Sequence, residues 1–362
     1  MDFKLNNATI TFNEEELKKI YVEITNGCNL SCKMCYRNFW QGSIGFMPKK
    51  LFQKLIEQLT SFKSLDIFHF GGIGEPLVHP DFIEFMESAK KRYQVQISTN
   101  GTLLNEKLSE KIVNLGIEKI IFSLDSPEEQ GFKDIRGISQ NIIYKNIKRL
   151  VQLKKERRLD VPELEIEFVA MKSNIKDLPG IADVAQELGV SKIMVSNLLP
   201  MSEEQAREIV YDGNINYEKY VNEFLRKAMG HRMMTIMPEF KLKTERVCDF
   251  MEKKSTVVSW DGSVVPCYRF LHTYPEYIFG RKKLVKKYSF GNINEKPIYE
   301  IWNSPEYMKF RFVVSSSLYP SCIDCVFADK KCNFVLDTDV DCEGNSPSCG
   351  DCLWSRRIVL CP

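Results

Sequence analysis

Twelve cysteines are the residues in this chain most able to do chemistry, and they are unevenly placed. Three form one short motif, Cys28-x3-Cys32-x2-Cys35. The other nine are Cys248, Cys267, Cys322, Cys325, Cys332, Cys342, Cys349, Cys352 and Cys361, and none lies between Cys35 and Cys248. A disulfide scaffold is short and evenly stapled. This chain has 362 residues and opens MDFKLNNATI, without the basic and apolar regions of a signal peptide. Clustered thiols in a reducing compartment read as metal ligands. Three thiolates from one loop leave a coordination position free. Zinc takes a fourth ligand close by, yet no His or Cys lies between Cys35 and His69. A [4Fe–4S] cluster on three cysteines keeps one iron open, which points to catalysis.

The elements that position this loop follow a repeating grammar. Strand-length apolar runs (Tyr21–Thr25, Asp66–Phe70, Gln94–Ser98, Lys119–Leu124, Leu164–Ala170, Lys192–Ser196) alternate with helical stretches. The helix over 48–62 begins at Pro48 and carries Leu51, Phe52, Leu55, Ile56, Leu59 and Phe62 on one stripe. The other helices are expected near 81–91, 105–115, 139–155 and 176–188. Six such units predict a parallel sheet, a partial (β/α)6 TIM-like barrel of the α/β class, open on one side. Active sites of such folds lie at the C-terminal strand ends. The cysteine triplet, Gly71-Gly72-Ile73-Gly74-Glu75-Pro76, Thr99-Asn100-Gly101 and Asp125-Ser126-Pro127 all fall there. Residues 1–202 read as this core, 203–247 as a helical bridge, and 248–362 as a cysteine-rich second domain with a hairpin turning at Asp261-Gly262. A strand pair is expected within 3–12.

Composition narrows the class. Fifty basic against forty-eight acidic residues give +2, no argument for a nucleic-acid or membrane partner. No 18-residue apolar run is present, so no membrane-spanning helix is expected, and the chain is placed in the cytoplasm.

The Cys-x3-Cys-x2-Cys motif after the first strand, with a glycine-rich Glu-Pro segment after the second, resembles the radical SAM enzymes over residues 20–200. The resemblance implies that S-adenosylmethionine (SAM) chelates the open iron through its amino and carboxylate groups. Its reductive cleavage then gives a 5′-deoxyadenosyl radical that abstracts a substrate hydrogen, and the protein orients and shields that radical. Two departures stand out. Met34 replaces the usual aromatic residue before the last cysteine, still able to pack on adenine, and Ile73-Gly74 interrupt the usual Gly-Gly-Glu-Pro. By the resemblance, Gly71, Gly72 and Gly74 allow close backbone approach to SAM and Glu75 accepts from its amine. Ser98, Asn100, Ser123 and Asp125 are expected to contact its ribose or carboxylate. Arg136 is assigned to the carboxylate, which a guanidinium fork suits.

Gly262-x4-Cys267 followed by Cys322-x2-Cys325-x6-Cys332-x9-Cys342 resembles the SPASM extension of radical SAM maturases, which carries one or two auxiliary [4Fe–4S] clusters. The nine later cysteines supply the ligands. Two closed clusters use eight and leave one spare; one auxiliary cluster with an open iron is the other arrangement. Gaps of six and nine depart from the usual five and three, and a zinc ribbon over 322–361 is the alternative. Where sulfatase-type maturases place a basic Asp, this chain has Tyr268, able to donate or accept a proton. Asp341–Ser355, Asn197–Pro200 and Phe70–Leu77 look like maturases associated with tungsten-containing aldehyde:ferredoxin oxidoreductases. That likeness implies a tungstopterin enzyme or its cofactor as substrate. A ribosomal-peptide modifier is the alternative, although only about twenty residues precede the first strand, too few for the leader-binding domain of about 80 residues found in several such enzymes. A non-enzymatic electron-transfer or zinc-stabilised protein is the third reading.

Four histidines are too scattered for a His-based site. His69 reads as a packed strand residue and His79 as a helix entry. The run Arg281-Lys282-Lys283…Lys286-Lys287 reads as a solvated face or, more sharply, a docking patch for a flavodoxin- or ferredoxin-type donor. Tyr299, Trp302 and Tyr307 read as core.

Overall fold

The computed structural model describes residues 2–5, 8–11, 16–40, 42–328 and 332–361. An antiparallel hairpin, β1 (Asp2–Leu5) and β2 (Ala8–Thr11), precedes the core, as expected for 3–12. The core then runs β3 (Lys19–Val22), α1 (Lys49–Gln58), β4 (Ile67–Phe70), α2 (Phe82–Lys90), β5 (Gln94–Thr99), α3 (Glu106–Leu115), β6 (Lys119–Ser123), α4 (Glu129–Arg136), α5 (Asn141–Arg157), β7 (Glu163–Ala170), α6 (Leu178–Leu188) and β8 (Lys192–Asn197). These six strands pair in parallel in chain order, which is the predicted (β/α)6 sheet. Helix α4 was not expected. It is short and carries Gly131, so the segment after Pro127 reads as loop in the sequence.

Strand alternation explains the layering. Ile20, Val22, Phe68, Phe70, Val95, Ile97, Ile120 and Phe122 join the core packed with the helices. The opposite face is polar, not apolar: Lys19 Nζ donates to Gln96, His69 Nε2 bonds Ser98 Oγ at 2.9 Å, and Lys119 and Lys192 pair with Glu165. The barrel interior is therefore lined by groups that need partners, which is unusual for a packed core. Helix ends follow local chemistry. Asn105 caps α3 by accepting from the Leu108 amide at 2.9 Å, and Gly116 closes that helix at φ 64°.

The bridge and the second domain depart from expectation. Residues 203–247 hold α7 (Glu203–Arg207), α8 (Glu218–Gly230) and also a strand, β9 (Met234–Ile236), parallel to β8. After α9 (Asp249–Glu252), β10 (Ser255–Val258) pairs in parallel with β3. Strand β11 (Ser263–Val265) forms the expected hairpin with β10, turning at Gly262 with φ +85°. A second hairpin, β12 (Tyr274–Ile278) and β13 (Arg281–Val285), follows. β14 (Gly291–Asn292) adds to β11, and α10 (Ile298–Trp302) and α11 (Pro305–Ser315) cover that edge. The sheet thus has ten strands, β14-β11-β10-β3-β4-β5-β6-β7-β8-β9, with unpaired ends. The last segment returns to the barrel mouth: Asn197 Nδ2 donates to the Ile358 carbonyl and Ser196 Oγ accepts from the Leu360 amide. Trp302 and Tyr307 are buried in the same core as the barrel helices, while Tyr299 packs at its edge. Among the described residues no helix is long and apolar enough to cross a membrane.

Candidate functional site: a cysteine-lined barrel mouth and two further thiol groups

The cysteine loop leaves β3 at the barrel's C-terminal end and is pinned from within. Arg37 Nε donates to the Asn26 carbonyl at 2.9 Å and Asn38 Nδ2 to the Cys32 carbonyl at 2.9 Å. Cys28, Cys32 and Cys35 line one cavity of about 1230 Å³, open mouth included. Burial pushes all three thiols up, Cys35 to about 11. Neutral thiols in this setting need a cation before they become thiolate ligands. One cation is built in: Arg136 Nη1 lies 3.7 Å from Cys32 Sγ.

Most residues assigned to SAM line the same cavity: Met34, Gly72, Gly74, Glu75, Ser98, Asn100, Ser123 and Arg136, with Tyr268 beneath. Gly72 has φ +129°, and a Cβ there would come within 2.7 Å of the Glu23 side chain. A Cβ on Gly74 would overlap the Thr25 carbonyl and approach the Gly27 carbonyl to 2.7 Å. These bare backbones let the segment pack closely against Glu23 and the start of the cysteine loop. Glu75 is buried, and burial raises its carboxyl to about 7 against the hydrogen bonds that favour its charge. Oε1 accepts from Leu77 N and Thr99 Oγ1, and Oε2 from Asn100 N at 2.6 Å. Asn100 Nδ2 reaches Asn29 and Cys28 Sγ.

Two assignments fall elsewhere. Gly71 does not line the cavity; its missing Cβ clears the Tyr268 hydroxyl and the His69 ring, each 2.8 Å from where it would stand. Asp125 is fully buried behind the wall, where it binds Arg136 rather than the cavity. Tyr268 is buried, and its hydroxyl has no hydrogen-bond partner among the described residues. Burial holds that phenol well above its usual pKa, so it is a proton donor here rather than a base. His69 is buried and kept neutral by desolvation, in line with a packed role. The basic run is not a bare face. Lys283 is buried against Asp351, Lys286 pairs with Asp337 and Asp339, and Lys287 with Asp261.

The nine later thiols divide in space. Cys248, Cys267, Cys349 and Cys352 line a second cavity, much tighter than the first. Cys322, Cys325 and Cys332 pack together; the charge of Cys342 bears on Cys322, and that of Cys332 on Cys342. Cys361 lines the second cavity as a fifth thiol, its charge bears on Cys267, and with Trp354, Val359 and Leu360 it lines the first cavity too. Among the described residues no three His, Cys, Asp or Glu side chains stand close enough to chelate a single metal ion. A zinc ion draws four sulfurs in at about 2.3 Å. An iron–sulfur cube holds its thiolates farther apart, and several cysteines lining one cavity fit it better than a zinc ribbon.

Sequence reasoning missed Glu23 and Glu167 and gave Thr99, at the end of β5, no role of its own. Glu23 is buried, accepts from Ile73 N and Ser259 Oγ, and pairs with His272. Glu167 lines the cavity from β7 and is raised to about 7 by burial, then by the Asp125 charge. Only its inward place on the strand alternation marks it.

Residues 22–185 match the family model of the radical SAM superfamily, and 248–326 match SPASM, an iron–sulfur cluster-binding domain. A curated protein of Pyrococcus furiosus, a tungsten-containing aldehyde ferredoxin oxidoreductase cofactor-modifying protein, is 48% identical over 348 residues, covering 96% of this chain and 97% of the relative. The chain belongs to the radical SAM superfamily. It is an enzyme of the SPASM-type maturase class, and its cofactors are SAM and [4Fe–4S] clusters. A probable GTP 3′,8-cyclase of Methanocaldococcus jannaschii is 27% identical over 70% of this chain and 85% of its own. In fold, the radical SAM maturase resembles Streptococcus suis SuiB bound to SAM (TM-score 0.62, 15% identity, 93% of this chain and 77% of that one). It also resembles anSMEcpe with bound SAM (TM-score 0.58, 18% identity, 85% and 87%).

Proposed function

We propose that this maturase acts on a tungsten-containing oxidoreductase or its pterin cofactor. The observation that carries the reading is identity of 48% along nearly the whole length of a protein named for modifying that cofactor. The likeness to peptide-modifying SuiB is at 15% identity and concerns the fold alone.

In this reading Cys28, Cys32 and Cys35 hold the SAM cluster, which, with SAM bound, supplies a hydrogen-abstracting radical. The remaining steps belong to the chain. Arg136, fixed by Asp125, offers its guanidinium to the SAM carboxylate. Glu75 takes the SAM amine and holds the Asn100 turn in place. Gly72 and Gly74 let their segment pack against Glu23 and the cysteine loop beside the bound group, and Met34 covers its adenine. Tyr268 donates a hydrogen bond, and Trp354, Val359 and Leu360 exclude water from above. Cys248, Cys267, Cys349 and Cys352 hold one auxiliary cluster, and Cys322, Cys325, Cys332 and Cys342 a second. Cys361 is the spare thiol. The division into a core (1–202), a bridge (203–247) and an auxiliary-cluster domain (248–362) is then functional, while the strands share one sheet. We place electron entry at the Cys322 group, whose Cys342 is exposed, with a ferredoxin- or flavodoxin-type donor in a reducing cytoplasm.

The test is anaerobic incubation of reduced, reconstituted protein with SAM and either the tungstopterin oxidoreductase or a short precursor peptide. Formation of 5′-deoxyadenosine coupled to a mass change in the oxidoreductase cofactor is expected. Coupling to the peptide alone would overturn the substrate assignment.

A further inference from the structure

The cavity bounded by Cys248, Cys267, Cys349 and Cys352 also takes in Arg269. This side chain is wholly buried. Nε and Nη2 donate to Glu276 Oε2 at 3.2 and 2.7 Å, and Nη2 donates to Asp351 Oδ1 at 3.0 Å. Nη1 is buried and has no partner among the described residues. A guanidinium N–H out of water and without an acceptor is costly, and Glu276 Oε1 is likewise without a partner among the described residues, so Nη1 is free to donate into the cavity it lines.

The charge count points the same way. Asp351 also takes Lys283 Nζ at 2.9 Å and Arg281 Nη1 at 3.4 Å. Three cations, Arg269, Arg281 and Lys283, therefore share two carboxylates, Glu276 and Asp351. Lys283, Arg269, Glu276 and Asp351 are all fully buried. A buried excess of positive charge is tolerated only beside a compensating anion. Four thiolates around a cluster would be that anion, and Cys352 is one residue from Asp351 while Cys267 is two from Arg269.

We propose that Arg269 Nη1 donates a hydrogen bond to the iron–sulfur cluster held by Cys248, Cys267, Cys349 and Cys352, and that this cation holds the cluster's reduction potential up. The proposal rests on those four cysteines being cluster ligands. Reduction adds negative charge, and a fixed cation in a low-dielectric site favours the more negative form. Arg269 is thus a positioning and tuning residue, not a catalytic one. Asp351 opposes it from the other side of the network.

EPR-monitored redox titration of the full, anaerobically reconstituted protein tests this, with the relevant signal identified as the one that Cys352→Ala removes. Arg269→Gln is expected to lower that potential by roughly a tenfold change in the reduction equilibrium, about 59 mV for one electron. Arg269→Lys keeps the charge but not the fork, and lowers it less. Asp351→Asn shifts it upward. Unchanged potentials in iron-replete Arg269→Gln overturn the proposal. Where Arg269→Gln does not load iron, an unchanged Arg269→Lys overturns it instead. Retention of all iron and sulfide by Cys352→Ala would instead strike the cluster assignment on which the proposal stands.

Discussion

Asp125 grips Arg136 by one edge and leaves the other edge for the cysteine loop. Asp125 Oδ2 accepts from Nε at 2.6 Å and pairs with Nη2 at 2.5 Å, while Nη1 reaches Cys32 Sγ at 3.7 Å. Asp125 is itself fixed, since Oδ1 accepts from the Val169 amide and its carbonyl from Asn174. A residue expected to touch SAM thus lies one step behind the cavity wall, setting the direction of the Arg136 guanidinium.

Asp125→Ala leaves that guanidinium charged and unpaired in the interior. The expected loss of stability is about 3–5 kcal/mol, measured by anaerobic denaturant unfolding. Asp125→Asn keeps the shape and folds, yet formation of 5′-deoxyadenosine falls roughly 10–100-fold, as for other residues that orient a metal-site ligand. Wild-type turnover in a loaded Asp125→Asn protein would remove Asp125 from the site.

Gly74 tests the cradle by steric means alone. Gly74→Ala forces a methyl group against the Thr25 and Gly27 carbonyls, fixed backbone with no flexible end to yield. Overpacking of this kind costs about 1–3 kcal/mol. Because Glu75 follows directly, SAM affinity is expected to drop along with stability, read by equilibrium dialysis of SAM. Unchanged affinity would show that the segment does not bear on the cofactor.

The parts of this site that could be read from the chain are those encoded locally. Cys28, Cys32 and Cys35 announce themselves by spacing, and the six strands by apolar runs of the right length. The auxiliary ligand sets are a different matter. Cys349 and Cys352 form a CxxC pair like Cys322 and Cys325, but the fold sends the first pair to Cys248 and Cys267 and keeps the second with Cys332 and Cys342. Nothing local distinguishes the two. Strand β9 is three residues long, too short to show a period of two, and it was read as bridge. Glu167 is one glutamate among many until β7 turns it inward. The basic run after Arg281 looks solvated in sequence because its partners, Asp261, Asp337, Asp339 and Asp351, lie on other segments.

Glu167 gives a pH signature. Its folded pKa, about 7, lies above its ordinary value of 4.5, raised by burial and by Asp125 and Glu165, and opposed by Arg136. Cys361 also faces it. Between about pH 4.5 and 7 the folded state binds this proton more readily than the unfolded chain does. The contribution is full below pH 4.5 and is lost as pH rises through 7. Glu167→Gln cannot lose that proton, so its advantage over wild type should grow from pH 5 to pH 8. Urea unfolding at several pH values measures it, and parallel curves for the two proteins would refute the shift.

The spare thiol is settled by counting. Five cysteines line one cavity; in the proposed assignment Cys349 and Cys352 are ligands there and Cys361 is not, so Cys349→Ala and Cys352→Ala are each expected to cost about one cluster, four iron and four sulfide per chain. Cys322→Ala and Cys332→Ala should do the same for the other group, with additive loss when one substitution from each group is combined, since the two sets share no ligand. In the proposed assignment Cys361 belongs to neither set, so the full iron and sulfide content should survive Cys361→Ala. Its sulfur instead lies against Glu167 and Trp354, in the wall between the two cavities. Loss of four iron in Cys361→Ala, with iron retained in Cys349→Ala, would exchange the two residues and place the end of the chain, not the CxxC motif, on the auxiliary cluster.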